Sequence, residues 1–367
     1  MPVRRLAIVG TGLIGASVGL AAKRAGVEWV TGWDPDGVAA AGAARRGAVD
    51  VATPTLAAAL AGADLVLVAA PVAQLAAQVE AALAATGEET TVTDVGSTKT
   101  AVCAAAAGSA RFIGGHPMAG GEARGPEHAK AELFEGATWF LTPTAQTAPE
   151  RYRLVHGFVG DLGALPVAVD PASHDRLVAL TSHLPHALAN LLVNQAGATR
   201  IEGHEPLAAA GGSLRDMTRV AGSNPRLWTE IFLQNRAAVL ETLSEHRRLV
   251  EQLEAALSAG DADFLAAWIG EASTNRRRLL AQAFADPGAL QRVSVHIPDR
   301  PGVFAAITQA LGAERINIED FEMHHHSPER GGELEMIVAG ELEAQRAAAI
   351  IARQGYDAVI SPVLDER

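Results

Sequence analysis

The chain has 367 residues, 49% hydrophobic and 20% charged, a balance typical of a globular protein with a large core and two or three domains. Its formal net charge of −12 disfavours nucleic acid as the main partner, and no apolar run reaches the length of a membrane span. The single cysteine, Cys103, excludes an internal disulfide, and the start MPVRRLAIVG runs straight into a glycine-punctuated pattern unlike a signal peptide, so we expect a cytoplasmic protein.

Strand and helix patterns alternate over residues 1–170. The first strand is predicted at 4–9, a glycine-rich turn and a helix over 13–25 follow it, and a second strand is predicted at 27–33. Later strands are predicted at 64–69, 90–95, 111–113, 139–142 and 165–169. Such alternation predicts an α/β domain of the Rossmann type, with a doubly wound parallel sheet covered by helices on both faces.

The turn GTGLIG at residues 10–15 has the spacing of a dinucleotide-binding loop. Gly10 permits the tight turn, Gly12 admits the pyrophosphate, and Gly15 allows the helix to pack on the strand, while the helix N-terminus offers amide donors. Asp34, at the end of the second strand, is placed to bind ribose hydroxyls and repel a 2′-phosphate, which favours NAD; the alternative is a glycine-rich turn without a ligand. The predicted cofactor contacts are Gly10, Gly12, Leu13, Ile14, Gly15, Asp34, Pro71 and Gly96.

Two further polar stretches follow strands of the same predicted sheet. They are DVGSTK at residues 94–99 and FIGGHPMAG at residues 112–120. Because ligands of parallel sheets bind at the carboxyl ends of strands, we expect Ser97, Lys99 and His116 at the rim of the cofactor crevice, His116 near the nicotinamide. The alternatives are a helix cap for Ser97 and a solvent-exposed turn for His116.

Residues 171–286 show amphipathic helical patterns, which predict an all-helical domain that covers the crevice and forms a dimer. TSHLPH at residues 181–186 interrupts an apolar helix with two histidines and a proline. No third ligand is apparent for a metal, and a buried structural histidine is the simpler interpretation of His183.

The stretch SLRDMTRVAGSNPRLW at residues 213–228 contains Arg215 and Arg219, four residues apart on one predicted helix face. Two arginines beside an aromatic residue are suited to bind a carboxylate in a bidentate manner. The alternative is an ordinary solvent-exposed face.

Asp286-Pro287-Gly288 marks a predicted boundary before a compact module. Over residues 290–367 the pattern reads strand, helix, strand, strand, helix, strand, which predicts a ferredoxin-like βαββαβ domain.

Taken in order, the motifs GxGLIGxS, DVGSTK, FIGGHPMAGxExxG, TSHLPH and RxxxSNPxxW resemble the prephenate dehydrogenase family over nearly the whole chain. The tail DRPGVFAAITQALGAERINIED resembles an ACT domain, an amino-acid-sensing module. The resemblance implies NAD-dependent oxidative decarboxylation of prephenate to 4-hydroxyphenylpyruvate, a homodimer, and feedback regulation with tyrosine as the effector.

The resemblance also implies roles for individual residues. His116 matches the catalytic base that accepts the proton of the carbinol hydroxyl, and Ser97 matches a serine that orients that histidine. Arg219 matches the arginine that binds the ring carboxylate, while His186 and Ser182 match residues lining the substrate pocket. Asp216, Trp228 and Glu122 match residues that close the pocket mouth, and Arg215, expected to bind substrate, stands where some family members have lysine. Effector contacts are expected at Asp299, Gly302 and Asn317.

Three other functions stay open at this point. An arogenate dehydrogenase acts on the amino analogue of prephenate, whose side-chain cation calls for a carboxylate beside His186. A non-catalytic sensor of NAD and amino acids has no need to keep Ser97, His116 and Arg219 together. A generic hydroxyacid dehydrogenase usually lacks an ACT tail.

Overall fold

The protein is described by a computed structural model that covers residues 2–106, 108–121, 123–283, 289–327 and 331–363. The chain packs into two compact units, Met1–Arg248 and Leu249–Arg367.

Within the described residues, the first unit contains an eight-stranded sheet. Its strands are β1 (Arg5–Val9), β2 (Trp29–Trp33), β3 (Val51–Ala52), β4 (Leu65–Val68), β5 (Thr91–Asp94), β6 (Phe112–Pro117), β7 (Thr138–Thr142) and β8 (Leu165–Ala168). Their order across the sheet is β3-β2-β1-β4-β5-β6-β7-β8. Every neighbouring pair is parallel except β6 and β7, so the last two strands run opposite to the first six.

Helices connect these strands and then form a separate helical part of the same unit. They are α1 (Leu13–Arg24), α2 (Gly37–Arg45), α3 (Leu56–Leu60), α4 (Val72–Ala85), α5 (Thr100–Ala105), α6 (Pro149–Asp161), α7 (Pro171–Val178), α8 (Leu184–Ala198), α9 (Gly212–Thr218), α10 (Pro225–Gln234) and α11 (Arg236–Ala259), which continues into the second unit. In the part of the chain that the structure describes, no helix has both the length and the apolar character needed to cross a bilayer.

The change of direction after β6 follows from its connection to β7. Parallel neighbours need a crossover, usually a helix, whereas antiparallel neighbours do not. The described part of this connection contains two short 3₁₀ turns, Pro126–His128 and Ala131–Phe134, which pack against α1. The chain therefore returns without a crossover helix.

Side-chain alternation along β1 explains why the strand is apolar from Leu6 to Val9. Leu6 and Ile8 belong to one buried cluster, and Ala7 and Val9 belong to another on the opposite face of the sheet. Because both faces are covered by helices, the four residues of the strand that follow the exposed Arg5 are removed from water, as expected for parallel sheets. The predicted doubly wound sheet is confirmed.

The helical part begins at a well-defined cap. The carboxylate of Asp170 accepts a hydrogen bond from the amide of Ser173, and Pro171 occupies the first turn of α7. A single π-helical turn, Ala179–His183, joins α7 to α8, with the Leu184 amide donating to the Ala179 carbonyl. This wide turn includes His183 and shifts the helical register just before His186, the second histidine of the TSHLPH motif.

The second unit contains the helix α12 (Ala262–Ala283) and a small antiparallel domain. The latter is formed by β9 (Leu290–Ile297), α13 (Val303–Ala313), β10 (Asp320–Ser327), β11 (Gly331–Ala339), α14 (Glu341–Arg353) and β12 (Ala358–Pro362). The strand order is β10-β11-β9-β12 and all pairs are antiparallel. Its core comes from alternate residues of β9 and β11 and one face of each helix. The predicted βαββαβ fold is confirmed.

Candidate active site

The turn after β1 has the geometry of a phosphate-binding loop. Gly10 has a φ of 94°, in the left-handed region, and a Cβ there would collide with the carbonyl of Ala69. A Cβ on Gly15 would collide with the Gly10 carbonyl, so α1 packs as close to the turn as a glycine allows. At Gly12, the N-cap of α1, a Cβ would meet nothing within 4 Å, and no side chain caps the helix. Open space in front of uncapped amides fits a pyrophosphate.

Asp34 lies directly after β2, beside this turn. Its Oδ2 accepts a hydrogen bond from the amide of Thr11 at 2.7 Å, and its Oδ1 accepts one from the amide of Asp36 at 2.9 Å. The hydroxyl of Thr11 also donates to Oδ2, at 3.3 Å, whereas Oδ1 keeps a second acceptor site. The carboxylate is therefore fixed by the loop and still able to accept a ribose hydroxyl.

The other predicted cofactor residues follow the neighbouring strands. Pro71 is the N-cap of α4, after β4, and Gly96 follows β5. The carboxyl ends of parallel strands lie at one edge of the sheet, so these residues share the edge that carries Gly10 and Asp34. The side chains present fit a dinucleotide along this edge.

A buried ion pair ties this edge to the strand that carries His116. Lys99 and Asp94 are both 0% exposed, and the Lys99 Nζ donates to Asp94 Oδ2 and, at 2.7 Å, to the Gly115 carbonyl. The same carboxylate accepts from the amides of Gly96 and Gly115 at 2.8 and 3.0 Å. Lys99 thus lies beneath the crevice, in the protein interior, and holds the two loops together.

His116, the last residue but one of β6, contacts a second histidine. Its Nδ1 lies 2.9 Å from Nε2 of His174, a residue of α7 that is 0% exposed. The other ring nitrogen of His174 lies 2.8 Å from Oδ1 of Asp175. Asp175 in turn accepts hydrogen bonds from the amides of Lys99 and Thr100, at 2.7 and 2.9 Å.

The environment of His116 keeps its imidazole neutral. Burial lowers its pKa well below the usual 6.5, the charges of His174, Lys99 and His183 lower it further, and Asp175 acts in the opposite direction. A neutral imidazole has one acceptor nitrogen. Among the described residues none bonds Nε2 of His116, so a neutral base is available at the sheet edge.

The helical part supplies a second wall. The ring of His186 stacks on Trp228 with centroids 3.4 Å apart, its Nδ1 lies 3.0 Å from the Ser182 carbonyl, and its Nε2 lies 3.3 Å from Oγ of Ser223. Burial lowers the pKa of His186. The hydrogen bond to the Ser182 carbonyl raises the pKa, and the positive charge of Arg219 lowers it. Four predicted pocket residues therefore come together.

The helical part contacts α4, the helix that begins at the sheet edge carrying Gly10 and Asp34 (the nucleotide edge). Helix α10, which carries Trp228, packs against α4, and Oε2 of Glu230 lies 3.5 Å from the amide of Ala73. His183, one helical turn before His186, is close enough to His116 to lower its pKa. His183 itself is 2% exposed and is bonded to Asn235, and burial lowers its pKa to about 4, which fits a structural histidine.

Within the described residues, the structure shows no hydrogen bond or ion pair from the remaining predicted site residues to His116 or His186. Arg215 and Asp216 are exposed in α9, and Arg219 is exposed at the start of the next 3₁₀ turn, so the two arginines do not share one regular helix. The Ser97 hydroxyl is half-buried and makes no hydrogen bond among the described residues; its orienting role stays a prediction. Glu122 lies outside the described residues.

Sequence reasoning missed three residues of this site. It left Asp94 without a role, and it passed over His174 and Asp175 in DPASHD. The available signal was the helix start at Asp170-Pro171, which places a histidine and a carboxylate in the first turns of α7. That signal indicates a helix but does not reveal the partner on β6.

A cavity of 320 Å³ lies in the second unit, beside the loop that follows β9. It is lined by Ile297, Pro298, Asp299, Arg300, Val303, Phe304, Phe321, Met323 and Gly332. Of the three predicted effector residues, Asp299 lines this cavity, Gly302 is the N-cap of α13 in the left-handed region, and Asn317 donates a hydrogen bond to Glu319.

Three family models match the chain in succession. They are the prephenate dehydrogenase nucleotide-binding domain over residues 18–167, the prephenate dehydrogenase dimerization domain over residues 170–271, and the ACT domain over residues 291–353. The first match lies in the sheet-containing part of the first unit, the second begins in its helical part and extends past Arg248 into the second unit, and the third lies in the antiparallel domain.

Individual relatives agree with these matches. The chain is 33% identical over 361 residues to prephenate dehydrogenase of Bacillus subtilis, covering 95% of this chain and 96% of that protein. Prephenate dehydrogenase of Aquifex aeolicus, solved with hydroxyphenyl propionate and NAD+, is 28% identical with a TM-score of 0.71 over 76% of this chain and 99% of its own. Arogenate dehydrogenase of Synechocystis is 30% identical with a TM-score of 0.68 over 75% and 99%. The chain therefore belongs to the prephenate dehydrogenase family, as its motifs predicted, and carries an ACT domain.

Proposed function

We propose that this chain catalyses the oxidative decarboxylation of prephenate to 4-hydroxyphenylpyruvate, with NAD+ as the oxidant. The observation that carries the proposal is a neutral imidazole, His116, at the carboxyl edge of a dinucleotide-binding sheet, close to a helical wall that holds a cation, Arg219. A non-catalytic sensor has no use for a base so placed.

The residues of the nucleotide edge fit NAD, which supplies the hydride acceptor when bound. We expect the amides at the start of α1, near Gly12, to hold the pyrophosphate and Asp34 to hold the ribose. Pro71 and Gly96 then border the nicotinamide side of the same edge.

Each of four side chains has a separate role in the oxidation and decarboxylation of the substrate. His116 takes the proton of the carbinol hydroxyl while the C–H bond of the same carbon breaks and its hydride leaves. Arg219 binds the ring carboxylate until the carbon–carbon bond between carboxylate and ring breaks and CO₂ leaves. The electron pair of that bond stays with the ring and makes it aromatic. His186 contacts the pyruvyl side chain, and Trp228 covers it.

Prephenate is favoured over arogenate by the charge around His186. Arogenate carries an ammonium group on its side chain, which calls for a carboxylate nearby. Among the described residues, the groups that perturb the pKa of His186 are a carbonyl, of Ser182, and a cation, Arg219. We expect kcat/KM to be higher for prephenate than for arogenate, and higher with NAD+ than with NADP+; a preference for arogenate would contradict this assignment.

Replacement of Arg219 by glutamine should raise KM for prephenate by about 10- to 100-fold, because a charge-assisted hydrogen bond to a carboxylate contributes about 1.5–3 kcal/mol. Steady-state kinetics with each substrate varied in turn measure the effect. Arg226→Gln, an exposed arginine of α10, is the matched control. If the KM for NAD+ rose and the KM for prephenate did not, Arg219 would not be the residue that binds the ring carboxylate.

The pH dependence follows from the lowered pKa of His116. Only the neutral imidazole accepts a proton, so kcat/KM should stay constant as the pH falls from neutral through about 6.5, and should decline only below the depressed pKa. The measurement is kcat/KM for prephenate against pH, with circular dichroism at each pH to confirm that the protein stays folded. An acidic limb centred at or above about 6.5 would contradict the proposed environment.

We further propose a homodimer, organised as a nucleotide-binding domain at 1–170, a helical substrate-binding and dimerisation domain at 171–286, and an ACT domain at 290–367. The match to a dimerization domain supports the assembly.

The cavity of the antiparallel domain, with Phe304 and Phe321 in ring contact at 5.3 Å and Arg300 in its lining, suits an aromatic amino acid. We propose tyrosine as its ligand; titration calorimetry and assays with and without tyrosine test this.

A further inference from the structure

His174 is a histidine whose two ring nitrogens are both engaged in the interior. It is 0% exposed, with Nε2 at 2.9 Å from Nδ1 of His116 and Nδ1 at 2.8 Å from Oδ1 of Asp175. Its ring also packs edge-on against Phe140, with centroids 5.3 Å apart. A ring held on three sides has one orientation, so its two hydrogen bonds are fixed.

The direction of the two hydrogen bonds of His174 follows from the carboxylate of Asp175. Burial tends to raise the pKa of Asp175, but hydrogen bonds from His174, Thr100 and Lys99 outweigh it and the pKa is lowered, so the carboxylate is ionised and accepts. His174 therefore donates from Nδ1, and a ring that carries its one proton on Nδ1 accepts at Nε2. The nitrogen that donates to it is Nδ1 of His116, which leaves the lone pair of His116 on Nε2.

We propose that His174 and Asp175 are positioning residues, which hold His116 as the Nδ1-protonated tautomer with Nε2 ready to accept the substrate proton. The inference rests on the proposed function, in which His116 is the base. The ionised Asp175, acting through His174, also stabilises the imidazolium that forms on His116, the role a carboxylate has behind a catalytic histidine.

Packing alone does not account for this arrangement. An apolar ring at position 174 would fill the same space against Phe140, but it would leave Nδ1–H of His116 without an acceptor. The backbone amides of Lys99 and Thr100 also fix the carboxylate of Asp175 from the loop that follows β5. The same loop therefore borders the cofactor edge and anchors the hydrogen-bonded chain.

The tautomer of His116 is directly measurable. In full-length protein labelled with [15N]histidine and saturated with NAD+, two-dimensional spectra distinguish protonated from unprotonated ring nitrogens. Loss of signals in His116→Asn assigns the residue. We expect Nδ1 to be protonated and Nε2 unprotonated in the wild-type protein; the opposite tautomer would overturn the proposal whatever the behaviour of any variant.

Two substitutions at position 174 separate positioning from packing. His174→Asn keeps a donor toward Asp175 but removes the acceptor for His116, whereas His174→Gln places a carboxamide where Nε2 lies. We expect His174→Asn to lower kcat by about 10- to 100-fold, as loss of an orienting partner does, with KM for prephenate unchanged. We expect a mixture of His116 tautomers in that variant, and recovery of both kcat and the wild-type tautomer in His174→Gln.

Wild-type kcat in a folded His174→Asn protein, or a His116 tautomer that does not respond to either substitution, would refute the positioning role. The proposed function fails separately, if the wild-type protein does not oxidise prephenate. In that event the spectrum of the wild-type protein still decides the arrangement of the hydrogen-bonded chain.

Discussion

Replacement of His116 by asparagine should lower kcat for prephenate oxidation by about 10²–10⁴-fold, the usual contribution of a general base. The carboxamide keeps a donor where Nδ1 of His116 contacts His174, so the strand and α7 should stay in place. It has no acceptor at the position of Nε2, so nothing takes the carbinol proton. The nucleotide edge is untouched, and the dissociation constant for NAD+ should not change.

Turnover and NAD+ binding are measured on the same preparation, by stopped-flow or steady-state kinetics and by titration calorimetry. The matched control is His156→Asn, an exposed histidine of α6 outside the site. Wild-type turnover in His116→Asn would remove this histidine from the mechanism. A loss of NAD+ affinity would show that it serves the cofactor in place of the substrate.

Replacement of Lys99 by methionine should lower the free energy of unfolding by about 3–5 kcal/mol, because it leaves the buried carboxylate of Asp94 without its counter-ion. The Gly115 carbonyl loses a donor in the same variant. Since the ion pair joins the loop after β5 to the residue before His116, we expect kcat to fall as well. Urea denaturation measures the stability.

Two companion variants test the cause of that loss. Lys130→Met removes an exposed lysine and should leave the urea midpoint unchanged. Asp94→Asn in the Lys99→Met background removes the uncompensated charge and should recover part of the stability. The recovery should be partial, because the amides of Gly96 and Gly115 donate to different oxygens of Asp94 and asparagine keeps only one of them. An unfolding midpoint equal to that of the wild-type protein in Lys99→Met would contradict this account of the ion pair.

The local sequence pattern was sufficient to predict the layered fold. A strand buried on both faces, such as β1 from Leu6 to Val9, is apolar at each buried position, and a glycine-rich turn marks its end. Alternation of such strands with helices therefore leads to the doubly wound sheet. The direction of β7 was not predictable in this way, because it depends on how the chain packs against α1 after β6, and no short pattern encodes that path.

Site residues could be predicted only where a motif lies at the carboxyl end of a strand. Asp34 directly follows β2 and His116 is the last residue but one of β6, and the carboxyl end of such a strand has a known place in the fold. His174 and Asp175 lie in an ordinary capped helix, 58 and more residues from His116, and only tertiary packing brings them together. Lys99 was expected in the crevice, but its side chain extends into the interior, toward the carboxylate of Asp94.

The central claim is spatial: His116 on the sheet and Arg219 on the helical part serve one bound substrate. A crystal structure of the dead-end complex with NADH and prephenate tests it most directly. We predict that the carbinol hydroxyl lies within hydrogen-bond distance of Nε2 of His116, that the same carbon faces C4 of the nicotinamide, and that the ring carboxylate contacts Arg219. Prephenate bound away from His116, or the two side chains in separate cavities, would contradict the account.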